Sequence, residues 1–274
     1  MPATSRPLAE SRYLKPLLRR IWRLPLVTGW VLLGLRLAGL LPLWPQARRH
    51  ALCEGMTLFW MRGLLRLLPL RIQRHGQPIG HPAVWVGNHI SWLDIILLGA
   101  VSPVRFIAKA EVRQWPLLGW LAASAGTLFV RRGQASGGDL YKQMTAALQQ
   151  QQSLMIFAEG TTTPGDRVRT FHGRLLSCAV EQQVPVQPVA LRYCEQGQLS
   201  RTAAFIDDDE LSSHLWQLLG GPTIDVELHF LPAIDSCNSE RNPLARRTRQ
   251  AVVQALGLDD SKPGQSTEAL STAA

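Results

Sequence analysis

The sequence predicts an α/β fold, a mostly parallel sheet flanked by helices, preceded by two N-terminal membrane-associated helices. Two observations predict the sheet: short β-rich segments alternate with helical segments from residue 83 onwards, and glycine-containing or polar loops separate them. A third predicts the N-terminal helices, because basic residues run directly into two apolar stretches. We divide the chain into anchoring helices over 1–70, a folded body over 71–258 and a polar tail, expected to be disordered, over 259–274.

Charge is concentrated at the N-terminal end. Residues 1–75 contain 13 Lys and Arg against 2 Asp and Glu, whereas the remaining residues contain 16 against 18. The two parts therefore carry net charges of +11 and −2, which make up the +9 of the whole chain. A basic segment beside an apolar one is typical of binding to anionic lipid, to which each cation contributes up to ~1 kcal/mol. A nucleic-acid-binding arm is not normally followed by such a stretch, so we expect membrane lipid as a partner and no nucleic acid.

The first apolar stretch, over residues 24–44, reads LPLVTGWVLLGLRLAGLLPLW. Its 21 residues could cross a hydrocarbon core of about 30 Å. Arg36 lies inside it, however, and an arginine at the centre of a spanning helix costs roughly 2.5–3.5 kcal/mol. No small-residue cleavage site closes the stretch, which disfavours a cleavable signal peptide. The residues expected to bound it are Pro25, Pro42 and Pro45.

The second apolar stretch, over residues 51–70, carries Arg62 and Arg66 on one face of a helix. That pattern is typical of an amphipathic helix lying in the membrane interface. The two stretches are therefore compatible with one shallow span or with two interfacial helices.

The body is predicted to contain six strands and three helices. Most of the strands read as buried, but the last alternates apolar and polar residues and is predicted to be a half-buried edge strand. The expected strands are 83–87, 104–108, 128–131, 153–158, 186–192 and 224–231, and the expected helices are 91–100, 139–152 and 242–256.

His89 lies between the strand over 83–87 and a helix predicted to begin at Ser91. It is thus at the carboxyl end of a strand, where open α/β sheets bind ligands. Asp94 can reach back to the imidazole, fix its tautomer through Nδ1–H and support the imidazolium formed when Nε2 takes a proton. Two other interpretations stay open: Asp94 only completes a capping box with Ser91, or His89 is a solvated loop residue.

No nucleophile accompanies this histidine. The chain has no G-x-S-x-G elbow, and its cysteines form neither a C-x-x-C pair nor a metal-ligand spacing with histidine. We expect ordinary buried thiols in a reducing compartment, and neither a metal nor a cofactor. A His–Asp dyad alone favours direct attack by a substrate hydroxyl whose proton His89 removes. The four cysteines are Cys53, Cys178, Cys194 and Cys237.

Four short blocks occur in order along the body. They are N-H-x-x-x-x-D at 88–94, FVRR at 129–132, FAEGTT at 157–162 and VPVQPV at 184–189. With their flanking strands they span residues 84–191, roughly two fifths of the chain. In content and order these blocks resemble those of the glycerolipid (PlsC-like) acyltransferase superfamily, whose commonest member is 1-acylglycerol-3-phosphate acyltransferase.

The resemblance implies roles for particular positions. His89 and Asp94 correspond to the family's charge-supported base. Substrate binding is implied for Asn88 in the first block, for three cations placed to meet an anionic headgroup, and for the acceptor-binding loop of the third block. For Lys109, a solvated strand end is the competing interpretation. The cations are Lys109, Arg131 and Arg132, and the loop residues are Glu159, Gly160, Thr161 and Thr162.

Two positions depart from the family pattern. Ala158 replaces the usual proline, which is expected to change only the stiffness of the loop. Thr162 stands where phosphatidate-forming members usually have arginine, and a neutral threonine cannot pair with a phosphate as a guanidinium does. The run GTTTPGDRVRTFHGRLL resembles a branch that includes acyltransferases for lyso-ornithine lipids, and Arg167 and Arg169 are candidates to supply the missing charge.

The resemblance therefore implies an O-acyltransferase of phospholipid biosynthesis. It would move a fatty acyl group from an acyl carrier protein or coenzyme A thioester to a lysolipid hydroxyl. The default acceptor is 1-acylglycerol 3-phosphate, and the alternative is lyso-ornithine lipid. A non-catalytic peripheral lipid-binding protein would explain the N-terminus but not the ordered blocks, and a thioester hydrolase would need a water site. The implied location is a bacterial inner membrane, with the acyltransferase domain over 71–258 on the cytoplasmic side.

Overall fold

The structure is a computed structural model that describes residues 7–80, 82–130, 138–206 and 209–259. The predicted tail beyond 259 lies outside these residues. One mostly parallel sheet with helices on both faces forms the centre of the described part, which confirms the predicted fold class. Its strands are β1 (Leu70–His75), β2 (Val84–Gly87), β3 (Val104–Lys109), β4 (Leu128–Val130), β5 (Ser153–Phe157), β6 (Val186–Glu195), β7 (Gln198–Leu199) and β8 (Ile224–Phe230).

The strands lie in the order β1-β8-β6-β2-β5-β3-β4, and β7 pairs with β6. β6 runs antiparallel to β7 and β8, whereas the other paired strands are parallel. β2, β5 and β6 are buried over most of their length, as expected of strands covered on both faces. β2 therefore ends in the middle of the sheet edge where ligands of α/β proteins bind.

The prediction that the last strand is an edge strand was wrong. β8 lies between β1 and β6, and its residues alternate between buried and half-buried. Such alternation shows that one face of a strand is less deeply covered, but it does not show which strands lie beside it. The strand at this edge of the sheet is β1, which was not predicted because LRIQRH is mostly polar and continues directly from the second apolar stretch.

Helices cover the two faces of the sheet in two groups. On one face α1, α2, α3 and α7 share a core with Trp85 of β2. On the other face α5, α6 and α8 share a core with Val84 and Val86, as the alternation of side chains along a strand requires. The helices are α1 (Pro7–Leu40), α2 (Gln46–Leu67), α3 (Leu93–Val101), α4 (Leu118–Ser124), α5 (Gly138–Gln149), α6 (Ser177–Glu181), α7 (Leu211–Gly220) and α8 (Arg241–Ala255).

A reciprocal pair of tryptophans joins α1 to α2. Trp30 Nε1 donates to the carbonyl of Trp60, and Trp60 Nε1 donates to the carbonyl of Trp30, both at 2.9 Å. Each indole lies over a glycine of the opposite helix, where a Cβ would come within 2.3 Å of the ring at Gly34 and 1.8 Å at Gly63. The two N-terminal helices therefore form a tightly fitted hairpin whose glycines cannot be enlarged without separating the helices.

The first helix is also bound to the body by arginines. Arg23 donates to the carbonyls of Leu219 and Gly221, and Arg20 donates to that of Trp216 and lies 4.5 Å from its ring centroid. These carbonyls lie at the carboxyl end of α7, where cations satisfy unpaired oxygens and interact favourably with the helix dipole. Part of the basic cluster predicted to meet lipid is thus used inside the protein.

Two smaller expectations are corrected. Pro25 lies inside α1 and does not bound the apolar segment, because α1 continues from Pro7 to Leu40 and packs on both sides of the proline through Arg23 and Val27. Cys237 is exposed, so only some of the cysteines are buried thiols. Burial raises the pKa of Cys178 to about 12, which leaves that thiol unreactive.

Candidate active site

His89 lies in the loop between β2 and α3, at the carboxyl end of the central strand. Its Nδ1 is 2.8 Å from Oδ2 of Asp94, a carboxylate that is 0% exposed. The His89 side chain is 18% exposed, and its Nε2 has no hydrogen-bond partner within the described part of the chain. With Nδ1–H donating to Asp94, Nε2 is the nitrogen that can accept a proton from a substrate.

Asp94 accepts hydrogen bonds from three other donors. The backbone N–H groups of Ile90 and Ser91 reach Oδ2 at 2.8 and 3.0 Å, and the hydroxyl of Tyr193 reaches Oδ1 at 2.6 Å. A buried carboxylate stays charged only when donors replace the water it has lost. The arrangement therefore holds a negative charge beside the imidazole, as the dyad interpretation requires.

The capping interpretation is satisfied only in part. Asp94 does accept the Ser91 N–H, which is one half of a capping box. The other half is missing, because the buried Ser91 Oγ has no hydrogen-bond partner within the described residues and the Asp94 N–H bonds to the Ser91 carbonyl instead. Asp94 thus supports the start of the helix and the histidine with the same oxygen.

The imidazole is also held by aromatic stacking. The ring of His89 lies on that of Phe157, the last residue of β5, with centroids 3.8 Å apart and planes 11° apart. Phe157 in turn stacks on Phe106 of β3, with centroids 6.5 Å apart. These contacts and the bond to Asp94 leave the imidazole little freedom to rotate, so Nε2 points in a fixed direction.

The backbone of His89 is held by the loop that follows β5. Glu159 Oε1 accepts the His89 N–H at 2.9 Å, and Oε2 accepts the Arg169 N–H at 2.8 Å. The Thr163 N–H donates to the His89 carbonyl at 2.8 Å. Glu159 is 3% exposed, and burial raises its pKa to about 7 despite these donors. The structure thus places Glu159 against the backbone of the loop that carries His89.

Asn88 occupies a similar supporting position. Its Nδ2 donates to the carbonyl of Leu191, and its Oδ1 accepts the Leu191 N–H, both at 2.9 Å. The side chain is 1% exposed, and both of its polar groups are engaged with β6. Asn88 fixes the end of β2 and so the position of the following histidine.

The remaining predicted binding residues lie in the loop after β5, at the end of β3 or outside the described residues. Gly160 has φ +72°, which a glycine adopts without strain, and Thr161 and Thr162 follow it as half-buried residues of the same loop. Lys109 is exposed at the carboxyl end of β3, two strands away from β2. Arg131 and Arg132 fall outside the described residues.

The structure adds residues that the sequence did not indicate. Tyr193 and Phe157 contact the dyad directly. Arg249 of α8 donates to the carbonyls of Val168 and Arg169, and so holds the segment whose N–H meets Glu159. An aromatic residue in a buried strand is usually part of the core, so no sequence pattern distinguished Tyr193 from a core residue.

An apolar cavity of about 290 Å³ lies between the N-terminal helices and the body. It approaches the dyad through Trp92 and Phe106, since Phe106 stacks on Phe157 and Phe157 on His89. Its other walls come from α1, α2, α3, α7 and the segment 112–127. A cavity of this composition excludes water and fits a hydrocarbon chain.

Tyr193→Phe is expected to lower kcat/KM by up to roughly 10- to 150-fold, because Oδ1 of Asp94 loses a hydrogen bond to a charged group, which contributes about 1.5–3 kcal/mol. If Tyr193 acts through Asp94, the loss should be much smaller in an Asp94→Asn background. Steady-state kinetics on the two single variants and the double variant measure this coupling. Equal losses in both backgrounds would show that Tyr193 does not act through the dyad.

Comparisons with known proteins agree with this geometry. The sequence model of the Acyltransferase family matches residues 70–192. The chain is 44% identical over 242 residues to a lyso-ornithine lipid O-acyltransferase of Pseudomonas aeruginosa, covering 87% of this chain and 94% of that protein. It is 28% identical over 248 residues to a 1-acyl-sn-glycerol-3-phosphate acyltransferase of Neisseria meningitidis, covering 89% and 94%.

A solved structure has the same fold. The crystal structure of PlsC, the 1-acyl-sn-glycerophosphate acyltransferase of Thermotoga maritima, matches with a TM-score of 0.69 at 20% identity, covering 90% of this chain and 96% of that one. The dyad, its position at the sheet edge and the similarity over nearly the full length of an O-acyltransferase lead to one conclusion. The chain is an O-acyltransferase and belongs to the PlsC-like acyltransferase family.

Proposed function

We propose that this enzyme transfers a fatty acyl group from a thioester to the hydroxyl of lyso-ornithine lipid. The observation that carries the transfer is the His89–Asp94 dyad, whose Nε2 has no hydrogen-bond partner among the described residues. Two observations support lyso-ornithine lipid as the acceptor. The chain is 44% identical to the lyso-ornithine lipid O-acyltransferase of Pseudomonas aeruginosa, and the acceptor loop has the neutral Thr162. The second candidate is the default acceptor, 1-acylglycerol 3-phosphate, because the chain is also similar to the Neisseria acyltransferase for that lipid.

The reaction follows from the geometry of the dyad. Nε2 of His89 takes the proton of the acceptor hydroxyl while the hydroxyl oxygen attacks the carbonyl carbon of the thioester. Asp94 stabilises the imidazolium that forms. The tetrahedral intermediate collapses with cleavage of the C–S bond. The imidazolium then returns the proton to the thiolate, which leaves an ester and a free thiol. The apolar cavity is suited to hold a fatty acyl chain during these steps.

We propose that the enzyme lies in the interface of one leaflet. The segment Leu14–Leu43, which comprises most of α1 and the three residues after it, is long and apolar enough to cross a membrane, and only 11% of its most apolar window is buried. However, α1 is attached to the body midway along its length, where Arg23 bonds to the end of α7, and near its carboxyl end, where Gly39 lies close to Trp120 of α4. These contacts favour a helix that stays against the body over one that spans the bilayer. The exposed apolar face of α1 therefore fits an interfacial helix, at a bacterial inner membrane with the body in the cytoplasm.

The acceptor is tested by comparing lyso-ornithine lipid with 1-acylglycerol 3-phosphate, in wild-type enzyme and in variants of Thr162. We expect wild-type enzyme to have a higher kcat/KM for lyso-ornithine lipid than for 1-acylglycerol 3-phosphate. Thr162→Arg should raise use of the phosphate acceptor by up to roughly 10- to 150-fold, because a charged hydrogen bond contributes about 1.5–3 kcal/mol.

Thr162→Gln is the matched control, since it adds length without charge and should leave the ratio of the two acceptors nearly unchanged. A wild-type preference for the phosphate acceptor would favour the second candidate. An unchanged ratio in Thr162→Arg would mean that position 162 does not contact the headgroup.

A further inference from the structure

Arginines are concentrated in two segments that contact each other, the loop over 166–174 and the start of α8 over 240–249. These segments hold seven arginines and two carboxylates, Asp166 and Glu240. A Cβ on Gly173 would lie 2.9 Å from the carbonyl oxygen of Arg241, which shows how closely they pack. The arginines are Arg167, Arg169, Arg174, Arg241, Arg246, Arg247 and Arg249.

Most of this charge is available to a partner. Arg249 is used internally, on the carbonyls of Val168 and Arg169. The other six side chains are exposed, and none of them forms an ion pair with the acidic residues that the structure describes. Arg246 lies one turn before Arg249 on the side of α8 that faces the loop, whereas Arg247 lies near Asp235 on another side. We call Arg167, Arg169, Arg174, Arg241 and Arg246 the arginine face.

The arginine face lies on the side of the sheet opposite to the N-terminal helices α1 and α2. α8 packs on the face of the sheet opposite to α1 and α2. Large exposed apolar side chains lie mainly on α1, α4 and α7, with Leu18, Trp120 and Trp216 as examples, and none lies on α5, α6 or α8. An anionic bilayer therefore meets the other side of the molecule, and the arginine face is presented to a soluble partner.

The arginine face also borders the catalytic loop. The N–H of Arg169 donates to Glu159, whose other oxygen accepts the N–H of His89. A partner bound to this face would therefore lie beside the edge of the sheet where the thioester must reach His89.

We propose that the arginine face docks an acidic acyl carrier protein, which delivers the acyl thioester to His89. This inference rests on the proposed function, because it identifies the surface that receives the carrier-protein donor of that reaction. Opposite charges on two proteins accelerate their encounter and set their orientation, and both effects weaken as salt rises. Acyl-coenzyme A carries the same kind of thioester but has no protein surface, so it serves as the comparison donor.

The experiment uses the full-length protein with one acyl chain on either donor. We expect Arg174→Glu/Arg246→Glu to lower kcat/KM for the acyl carrier protein at least about ten-fold more than for acyl-coenzyme A. Arg247→Glu is the matched control and should show no such difference. Raising the salt concentration should lower wild-type kcat/KM for the carrier protein and change that of the double variant less.

A binding measurement separates this inference from the proposed function. Holo acyl carrier protein should bind wild type and Arg247→Glu, and bind the double variant more weakly, whether or not acyl transfer is observed. Equal losses with both donors, unweakened binding to the double variant, or use of coenzyme A thioesters alone would overturn the docking surface. Normal binding of the carrier protein without transfer to any lysolipid would overturn the proposed function and leave the docking surface supported.

Discussion

His89→Ala is expected to lower kcat for acyl transfer by roughly 10²- to 10⁴-fold, the contribution of a positioned general base. The reason is that Nε2 is the basic atom exposed beside the sheet edge, and alanine leaves no group to take the hydroxyl proton. The fold should persist, because the bonds that hold this loop to Glu159 and Thr163 come from the backbone of residue 89. Steady-state kinetics at saturating acceptor, with circular dichroism and membrane sedimentation as checks on folding, measure the effect.

His75→Ala is the control for this variant. His75 is exposed at the end of β1 and stacks on His229, away from the dyad, so its loss should leave kcat within about two-fold of wild type. If a folded His89→Ala enzyme kept near-normal turnover, His89 would not be the base.

Asp94→Asn is expected to be nearly as damaging, with kcat within roughly ten-fold of that of His89→Ala. Asparagine keeps the shape of the side chain and can still accept the N–H groups of Ile90 and Ser91. It cannot stabilise the imidazolium, and its amide allows the wrong tautomer of His89. The same kinetic assay measures the loss, and circular dichroism checks that the variant is folded.

Ser91→Ala completes this comparison. The Ser91 Oγ makes no hydrogen bond within the described residues, so its removal should leave both activity and stability close to wild type. Retention of most activity by Asp94→Asn would instead mean that Asp94 serves only to support the start of the helix.

The positions of the main strands along the chain were predictable because they depend on local pattern. Buried strands such as β2 and β5 are short apolar runs bounded by polar or glycine residues, and their bounds were correct to within about two residues. The strand beside β8 was not predictable, since pairing depends on residues far apart in sequence. The length of α1 was missed for a different reason. A proline inside a helix costs ~3 kcal/mol and normally marks the end of the helix, but contacts of α1 with α2 and α7 offset that cost here.

The candidate site was predictable where its members are close in sequence. His89 and Asp94 are five residues apart, so a loop leading into a helix can join them without knowledge of the fold. Tyr193 reaches Asp94 across 99 positions, and nothing local to β6 indicates that contact. Glu159 and Asn88 were predicted as substrate-binding residues, a role that stays a prediction, whereas the structure shows them holding the backbone around the histidine.

The most direct test of the account is thiol release from an acyl thioester by the purified full-length enzyme, measured with and without lyso-ornithine lipid. The account predicts release that depends on the acceptor, with one ester formed for each thiol, and almost none in His89→Ala. Equal release without any acceptor would identify a thioester hydrolase, and no release with either lysolipid would leave a lipid-binding protein. Either result would contradict direct transfer to a lysolipid hydroxyl by the His89–Asp94 dyad.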